Sequence, residues 1–263
     1  MKALASLCVF SFLLSVAHAQ VLIGPVAGGQ YSWTTFDDKD FKDIYKVKPV
    51  AGFHAGVGLS FLVRKRFFLH SAFLYSIKGK VIEGKEDKLL RNKARYRFID
   101  IPILYTVDFK AKLGGNKQFK YFLGLGPNIS YWLGGKGELY TTDFSELGEV
   151  EPRKYTIAFK KSPEEVSNTE MSVHDPNRIQ LGLNIGGGFE FEPASFSKVM
   201  FTVRYEFGHS FFSKTTDGVF QDTYYSDILR SRSQGLRISL SYLLDLKLEG
   251  RKRGKSTIKK KDI

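Results

Sequence analysis

Histidine is the side chain in this sequence best suited to base or metal chemistry, and few candidates follow the N-terminal segment. They are His54, His70, His174 and His209. These residues fall on different predicted strands and loops, and none of their spacings is HxH or HExxH. His209 is followed by Ser210, but no third residue stands at a convincing position to complete a triad. The sequence therefore predicts no catalytic residue, no metal ligand and no cofactor.

Five charged residues stand inside segments that otherwise alternate between apolar and small polar residues. They are Asp100, Glu190, Arg204, Glu206 and Arg237. An unpaired buried charge is strongly destabilising, so we expect these side chains to pair with one another in a structural network in the interior. A proton or ion pathway along the same residues is the alternative.

A glycine-rich run, Gly124-Leu125-Gly126-Pro127, has the composition of a phosphate-binding loop. Such a loop presents its ligand to the N-terminus of a helix, and no helical periodicity follows this run. Phosphate binding is therefore excluded here. Pro102 and Pro127 each lack a backbone N–H, which predicts a bulge or a kink at both positions.

The elements that must position these residues are β-strands, because alternation with a period of two residues dominates the chain. In the last segment Leu236, Leu240 and Leu244 lie on one face, whereas Arg237 and Ser239 lie on the other. Eight such segments of about ten to fifteen residues are longer than ordinary strands. They are Val21–Thr35, Val50–Val63, Phe67–Lys80, Ile99–Asp108, Leu123–Leu133, Ile179–Glu190, Val199–Gly208 and Leu236–Leu244.

The chemistry of the two strand faces indicates which solvent each face meets. One face is a dense row of Ile, Leu, Val, Phe and Tyr, and the other is mostly Gly, Ser, Asn and Thr with a few charges. A soluble barrel of the lipocalin type would need a more strongly polar coat. Apolar residues facing lipid around a polar lumen are typical of a transmembrane barrel. We therefore predict an all-β fold, an eight-stranded antiparallel outer-membrane β-barrel.

The predicted connections alternate strictly between short and long. The short ones are 64–66, 110–117 and 193–198, and the long ones are 36–48, 81–93, 136–177 and 211–233. This alternation predicts short periplasmic turns and long external loops. Residues 136–177 carry nine acidic and five basic side chains, and Tyr155–Lys160 is predicted to be a strand of an external hairpin. A solvated surface loop is the other interpretation of this segment.

Both ends of the chain differ from the strands between them. Residues 1–19 have a basic start, an apolar stretch and an Ala-x-Ala end, which predicts a cleaved signal peptide before a barrel at 20–247. The only cysteine, Cys8, lies in this segment. The tail, residues 248–263, is strongly basic, and from Lys247 onward eight basic residues face two acidic ones. We expect this tail in the periplasm, either solvated or bound to an anionic or protein partner; export excludes nucleic acid as a partner.

Two short motifs connect this sequence with a known family. Phe98-Ile99-Asp100-Ile101-Pro102 has the form aromatic-x-acid-Ile-Pro, and Gly124-Leu125-Gly126-Pro127 has the form Gly-x-Gly-Pro. With these motifs the chain resembles the PorT-like outer-membrane β-barrel family of Bacteroidetes over essentially its mature length. The resemblance implies location and architecture. The family takes its name from a component of the type IX secretion and gliding apparatus.

The sequence thus favours a non-enzymatic outer-membrane barrel that serves as a structural or interaction platform in contact with outer-membrane lipid. One alternative is a component of type IX secretion and gliding machinery, with secretion subunits as partners. The other alternative, from a different class, is a barrel enzyme that acts on lipid A or phospholipid. The ligand, the specific partner and the oligomeric state do not follow from the sequence.

Overall fold

A computed structural model describes residues 21–112, 118–194 and 196–246 of the chain. The predicted signal peptide, residues 1–19, and the predicted basic tail, residues 248–263, lie outside the described residues. Within those ranges, no helix is long and apolar enough to cross a membrane.

Strands account for most of the described chain. In chain order they are β1 (Val21–Phe36), β2 (Tyr45–Lys48), β3 (Val50–Arg64), β4 (Phe67–Gly84), β5 (Arg91–Lys112), β6 (Gln118–Tyr140), β7 (Arg153–Phe159), β8 (Glu170–Val173), β9 (Ile179–Ala194), β10 (Ser197–Phe211), β11 (Gly218–Val219), β12 (Ser226–Asp227) and β13 (Ser231–Asp245). The helical elements are α1 (Asp40–Ile44), α2 (Thr142–Glu146) and a 3-10 turn at Pro163–Glu165.

The eight long strands pair in a closed ring. The antiparallel order is β1–β3–β4–β5–β6–β9–β10–β13, and β13 returns to β1. At the closing seam Ala27 lies opposite Leu240, while on its other side the same residue lies opposite Ala55. Each long strand therefore has a partner on both sides, which satisfies the backbone groups that an open sheet would leave at its edges.

The ring has a short-turn end and a long-loop end. Two residues join β3 to β4 and two join β9 to β10, whereas 37–49, 85–90, 141–178 and 212–230 connect the strands at the opposite end. The strict alternation agrees with the sequence prediction. The strands themselves are longer than predicted: β5 has 22 residues and β6 has 23. The loop predicted at 81–93 therefore shrinks to six residues, and the longest loop begins at 141 instead of 136.

The outward face of the ring is apolar over its middle part, as the alternation predicted. Leu240 is 58% exposed, whereas its neighbour Ser239 is 6% exposed. Aromatic residues flank this apolar belt at both ends. The outward aromatics toward the long-loop end include Tyr31, Phe53, Tyr75 and Tyr131, and those toward the short-turn end include Tyr105, Phe189, Phe191 and Tyr242. Ten residue steps from Ile99 to Phe109, at about 3.4 Å each and a tilt of about 40°, span a height of roughly 26 Å, close to the usual band.

The polarity of β5 inverts at Phe98 and Ile99. From Ile99 to Val107 the odd-numbered, outward residues are apolar, and Asp100 and Asp108 face inward and are buried. From Arg91 to Arg97 the outward residues are all basic, while Ala94, Tyr96 and Phe98 are buried. The outward basic residues are Arg91, Lys93, Arg95 and Arg97. The strand is therefore built for lipid on one side of Phe98 and for water on the other.

A bulge in β6 lies at the level of this inversion. Arg97 pairs with Gly134 and Phe98 with Trp132, which leaves Leu133 as an extra residue. Gly134 has a φ of 142°, in the region that favours glycine. Of the bulge or kink predicted at Pro102 and Pro127, no bulge forms at either position. The β5–β6 pairs stop at Pro102 and resume at Tyr105 in the same register, so the missing N–H groups interrupt the ladder without shifting it.

Above the belt, the long connections fold into a cap, which we define as residues 37–49, 85–90, 141–178 and 212–230 together with the long-loop ends of β4, β5 and β6. Its aromatic centre joins the wall to the loops, with ring centroids 4.9 Å apart for Tyr96–Phe212 and 5.1 Å for Trp132–Phe212. The buried residues of this core are Leu90, Ala94, Tyr96, Phe98, Trp132, Leu139, Phe144, Tyr155, Met171, Val173, Phe212, Phe220, Tyr225 and Leu229. Residues 136–177 thus belong to a packed layer, and β7, which contains most of the predicted strand at 155–160, forms a hairpin with β6.

Candidate functional site

A four-membered charge cluster crosses the lumen just below the cap. Arg237 on β13 lies 2.6 Å from Asp100 on β5 and 2.5 Å from Glu206 on β10. Lys78 on β4 lies 3.0 Å from Asp100 and 2.6 Å from Glu206. All four side chains are buried. Two cations and two anions from opposite walls therefore alternate around one ring of contacts, which compensates their desolvation.

Arg204, which the sequence placed in the same network, lies beside this cluster and not within it. It stands opposite Arg237 in the β10–β13 register and is buried. Its Nε and Nη2 atoms make no hydrogen bond within the described residues. It lines a space of about 60 Å³ that extends toward the short-turn end and Leu243. Arg204 therefore adds a third positive charge above a small hollow that is lined mainly by apolar side chains.

Glu190 forms a second cluster near the short-turn end, so the single network expected from the sequence is in fact divided. Glu190 lies 2.7 Å from Lys198 and 3.6 Å from Lys120. Lys120 also pairs with Glu192 at the rim. The apolar residues between the two clusters are Leu22, Leu104, Phe122, Met200 and Leu243. The separation follows from the chain, because Glu190 is near the end of β9, whereas Asp100 is in the middle of β5.

A separate buried ion pair holds the cap to the wall. Lys80 on β4 lies 2.8 Å from Asp227 on β12, and neither side chain is exposed. The Tyr96 and Tyr225 hydroxyls donate to the same carboxylate, each at 3.4 Å. Burial raises the pKa of Tyr225, so its hydroxyl keeps its proton and its role as a donor. The 212–230 connection is thereby fixed to the barrel wall by a charged contact inside an aromatic core.

Lys78 and Lys80 are the functional-site residues that sequence reasoning missed. Both lie on the inward, even-numbered face of β4, next to Ser76 and Leu74. Alternation in this segment is weak, because apolar residues occur on both faces. The available signal was that Lys78 and Lys80 are an even number of residues from Leu74 and so lie on the same face of the strand.

The two motifs on which the PorT-like resemblance rests lie side by side in the wall. Asp100, Ile101 and Pro102 are on β5, and Ile101 lies opposite Ile129 of β6. Gly124, Gly126 and Pro127 are on β6, and a Cβ at Gly126 would collide with the Ile103 carbonyl oxygen. Glycine therefore permits the close approach of the two strands at the level just below Asp100.

Two of the four histidines have defined side-chain contacts among the described residues. His54 Nε2 lies 2.8 Å from Ser239 Oγ, but its Nδ1 has no hydrogen-bond partner in the described part of the chain. The orienting acid of a triad is thus missing within the described ranges. His70 stacks on Phe68 with ring centroids 5.8 Å apart. No group of three or more potential ligands is placed to hold a metal ion among the residues that the structure describes.

Comparison with known proteins gives one family. The family model described as "Outer membrane protein beta-barrel domain" matches residues 17–248. No curated protein matches the chain.

Solved structures with a similar fold share little sequence with this chain. Ail, the attachment invasion locus protein of Yersinia pestis, is 12% identical, with 86% of this chain and 99% of Ail covered at a TM-score of 0.34. Neisserial surface protein A is 9% identical, with coverages of 85% and 97% and a TM-score of 0.37. OprG from Pseudomonas aeruginosa is 11% identical, with coverages of 86% and 94% and a TM-score of 0.43.

Proposed function

This chain belongs to the family of outer membrane protein β-barrel domains and is located in the outer membrane, and from that premise we propose that it is a non-enzymatic platform that displays a folded cap at the cell surface. In this proposal eight strands cross the membrane as a barrel, with short periplasmic turns and external loops. The cap would then be the part that meets partners outside the cell.

The observation that carries this proposal is the filled interior. The cap core, the Lys78–Asp100–Arg237–Glu206 cluster and the apolar layer around Phe122 follow one another along the lumen. An eight-stranded barrel has room for little more than its own side chains. Buried charges that are paired this closely favour a static plug over an ion pathway.

The orientation rests on the connections and on the chain ends. Leu22 pairs with Asp245 at the short-turn end, so the first and last strands begin and end there. Tight turns on the periplasmic side and long loops outside are usual for outer-membrane barrels. The cap, at the long-loop end, would accordingly lie outside.

A second candidate function is a place in a protein secretion apparatus, which would follow from kinship with the PorT-like family. Its support is the pair of motifs on β5 and β6. Recovery of secretion subunits with the tagged protein from membranes would favour this second function. If no secretion subunits are recovered, the platform function is favoured.

Two measurements test the platform directly. In planar lipid bilayers we expect no steady conductance, because the charged cluster and the cap close the lumen. In a deletion strain we expect the acyl chains and headgroups of lipid A and phospholipids to stay unchanged in mass spectrometry. A stable open channel would contradict the plug, and an altered lipid structure would favour the enzyme alternative.

A further inference from the structure

The outward face of the wall just above the belt is strongly basic. Starting beside Ile99, every second residue of β5 carries a positive charge up to Arg91. The adjacent strand β6 extends this surface, as do β7, which pairs with β6, and β2, which pairs with β4. We call it the basic band, and its cations are Lys46, Lys48, Arg91, Lys93, Arg95, Arg97, Lys136 and Lys154. The acidic residues on the same face of β4 and β6 are Glu83 and Glu138, which leaves a net charge of +6 (8 − 2).

The centre of the basic band is not neutralised by the protein itself. Arg95 lies directly opposite Lys136 in the β5–β6 register. Both are exposed, as is Arg97, and within the described ranges none of these three has an ion pair. Lys154, by contrast, lies opposite Glu138 in the β6–β7 register. Like charges directly opposite each other destabilise a sheet. An anion that binds between them would remove that repulsion.

Three arginines of the cap outside the basic band are paired within the protein. Arg230 and Arg232 both contact Asp37, at 3.1 Å and 3.2 Å. Arg153, on the inward side of β7, pairs with Glu149. These arginines are neutralised locally, whereas the centre of the basic band places the unpaired cations Arg95 and Lys136 directly opposite each other.

The position of the basic band relative to the membrane suggests what it binds. Six residue steps separate Arg97 from Arg91, which correspond to roughly 20 Å along the strand and about 15 Å in height. The lowest cation lies next to the edge of the belt, near Tyr131. A phospholipid offers one phosphate at one depth. A lipopolysaccharide offers phosphates at several depths, on its lipid A disaccharide and on the inner core.

We propose that the basic band binds the phosphate groups of lipopolysaccharide in the outer leaflet. Arg97 and Arg95 would contact the lipid A phosphates, since guanidinium groups bind phosphate in a bidentate manner. An open groove of about 600 Å³ between β5 and β7 is lined by Lys93, Lys136 and Lys154, among others, and would take the phosphorylated core. This inference rests on the outward orientation of the cap given under Proposed function.

The test compares three purified, detergent-solubilised forms of the full chain. They are the wild type, the double variant Arg95→Gln/Lys136→Gln, and the control Lys42→Gln/Lys214→Gln, which removes two exposed cations outside the basic band. Binding of purified lipopolysaccharide is measured by native mass spectrometry, together with lipopolysaccharide dephosphorylated by hydrofluoric acid and with phosphatidylglycerol. We expect the double variant to bind lipopolysaccharide at least tenfold more weakly and the control to stay within twofold of wild type. Dephosphorylation should weaken wild-type binding as strongly.

Equal binding by all three proteins would overturn the inference. Equally tight binding of phosphatidylglycerol would also overturn it, because the surface would then be a general anionic contact. The orientation is tested separately, by labelling Thr156→Cys in intact cells with a membrane-impermeant maleimide. Failure to label would contradict the proposed orientation, whereas labelling combined with unchanged lipopolysaccharide binding would contradict the inference alone.

Discussion

The two halves of β5 have the same period and the same inward parity but opposite chemistry. Below Phe98 the outward residues are Ile, Val and aromatic residues, and the inward ones include Asp100 and Asp108. Above it the outward residues are Arg and Lys, and the inward ones include Tyr96. One half follows the rule for a barrel in lipid, and the other follows the rule for a sheet in water. Alternation therefore determines the face of each residue, and the solvent determines which face is apolar.

The largest effect is expected in the lumen of the membrane half. Asp100→Asn removes the charge that both Arg237 and Lys78 contact and leaves two buried cations with Glu206 alone. Breaking a buried pair in this way costs about 3–5 kcal/mol. The free energy of unfolding in urea, measured by tryptophan fluorescence in lipid vesicles, should fall by that amount.

The matched control for Asp100 lies in the water-exposed half. Asp37 contacts two arginines, Arg230 and Arg232, and all three side chains are partly exposed. Asp37→Asn should therefore lower the free energy of unfolding by less than about 1 kcal/mol. Equal losses for the two variants would show that the lumen is hydrated well enough to screen its charges.

The second-largest effect is expected from a charge added to the outward face, which should destabilise the membrane half but not the water-exposed half. Leu240→Arg places a guanidinium in the apolar belt, which costs about 2–4 kcal/mol near the bilayer midplane. Thr156→Arg makes the same addition on the exposed outward face of β7, where we expect only a small change in stability. The assay is the folded fraction in vesicles, measured as heat-modifiable migration in SDS gels.

Two results would contradict this prediction. If Leu240→Arg assembles as well as Thr156→Arg, the belt does not face lipid at that position. If Thr156→Arg is the poorer of the two, the outward face of β7 is covered.

The junction between the halves should give the smallest effect. Gly134 adopts a φ of 142° in the bulge of β6, and Gly134→Ala would strain the backbone by about 1–3 kcal/mol. Gly29 on β1 has no unusual φ, and a Cβ added there would meet nothing within 4 Å among the described residues, so Gly29→Ala serves as the control. The midpoint of urea unfolding should decrease for Gly134→Ala and stay constant or increase for Gly29→Ala. An identical midpoint for both variants would mean that the bulge is readily rearranged.

Sequence reasoning succeeded where one rule applied along a whole segment. The inward position of Ser239 and the outward position of Leu240 followed from parity alone, and the structure agrees. The same rule failed at the end of β6, which it placed at Leu133 because the outward apolar residues end there. The strand continues to Tyr140 because its cap half has its apolar residues inside.

Contacts across the lumen could not be derived from single segments. Parity places Glu190 and Arg237 inside but does not give their depth, which depends on register and strand tilt across several strands. The division into two charge clusters is therefore visible only in three dimensions. The aromatic core of the cap likewise combines Tyr96, Trp132 and Phe212 from segments more than 30 residues apart.

The membrane boundary on β5 should lie between Arg97 and Ile99, and cysteine scanning tests its position most directly. The only cysteine of the sequence is Cys8, so single cysteines can be placed at outward positions 93, 95, 97, 99, 101 and 103 and labelled with nitroxide. In lipid vesicles, positions 93, 95 and 97 should be accessible to a water-soluble nickel complex, and positions 99, 101 and 103 to dissolved oxygen. The same accessibility at all six positions would contradict the account.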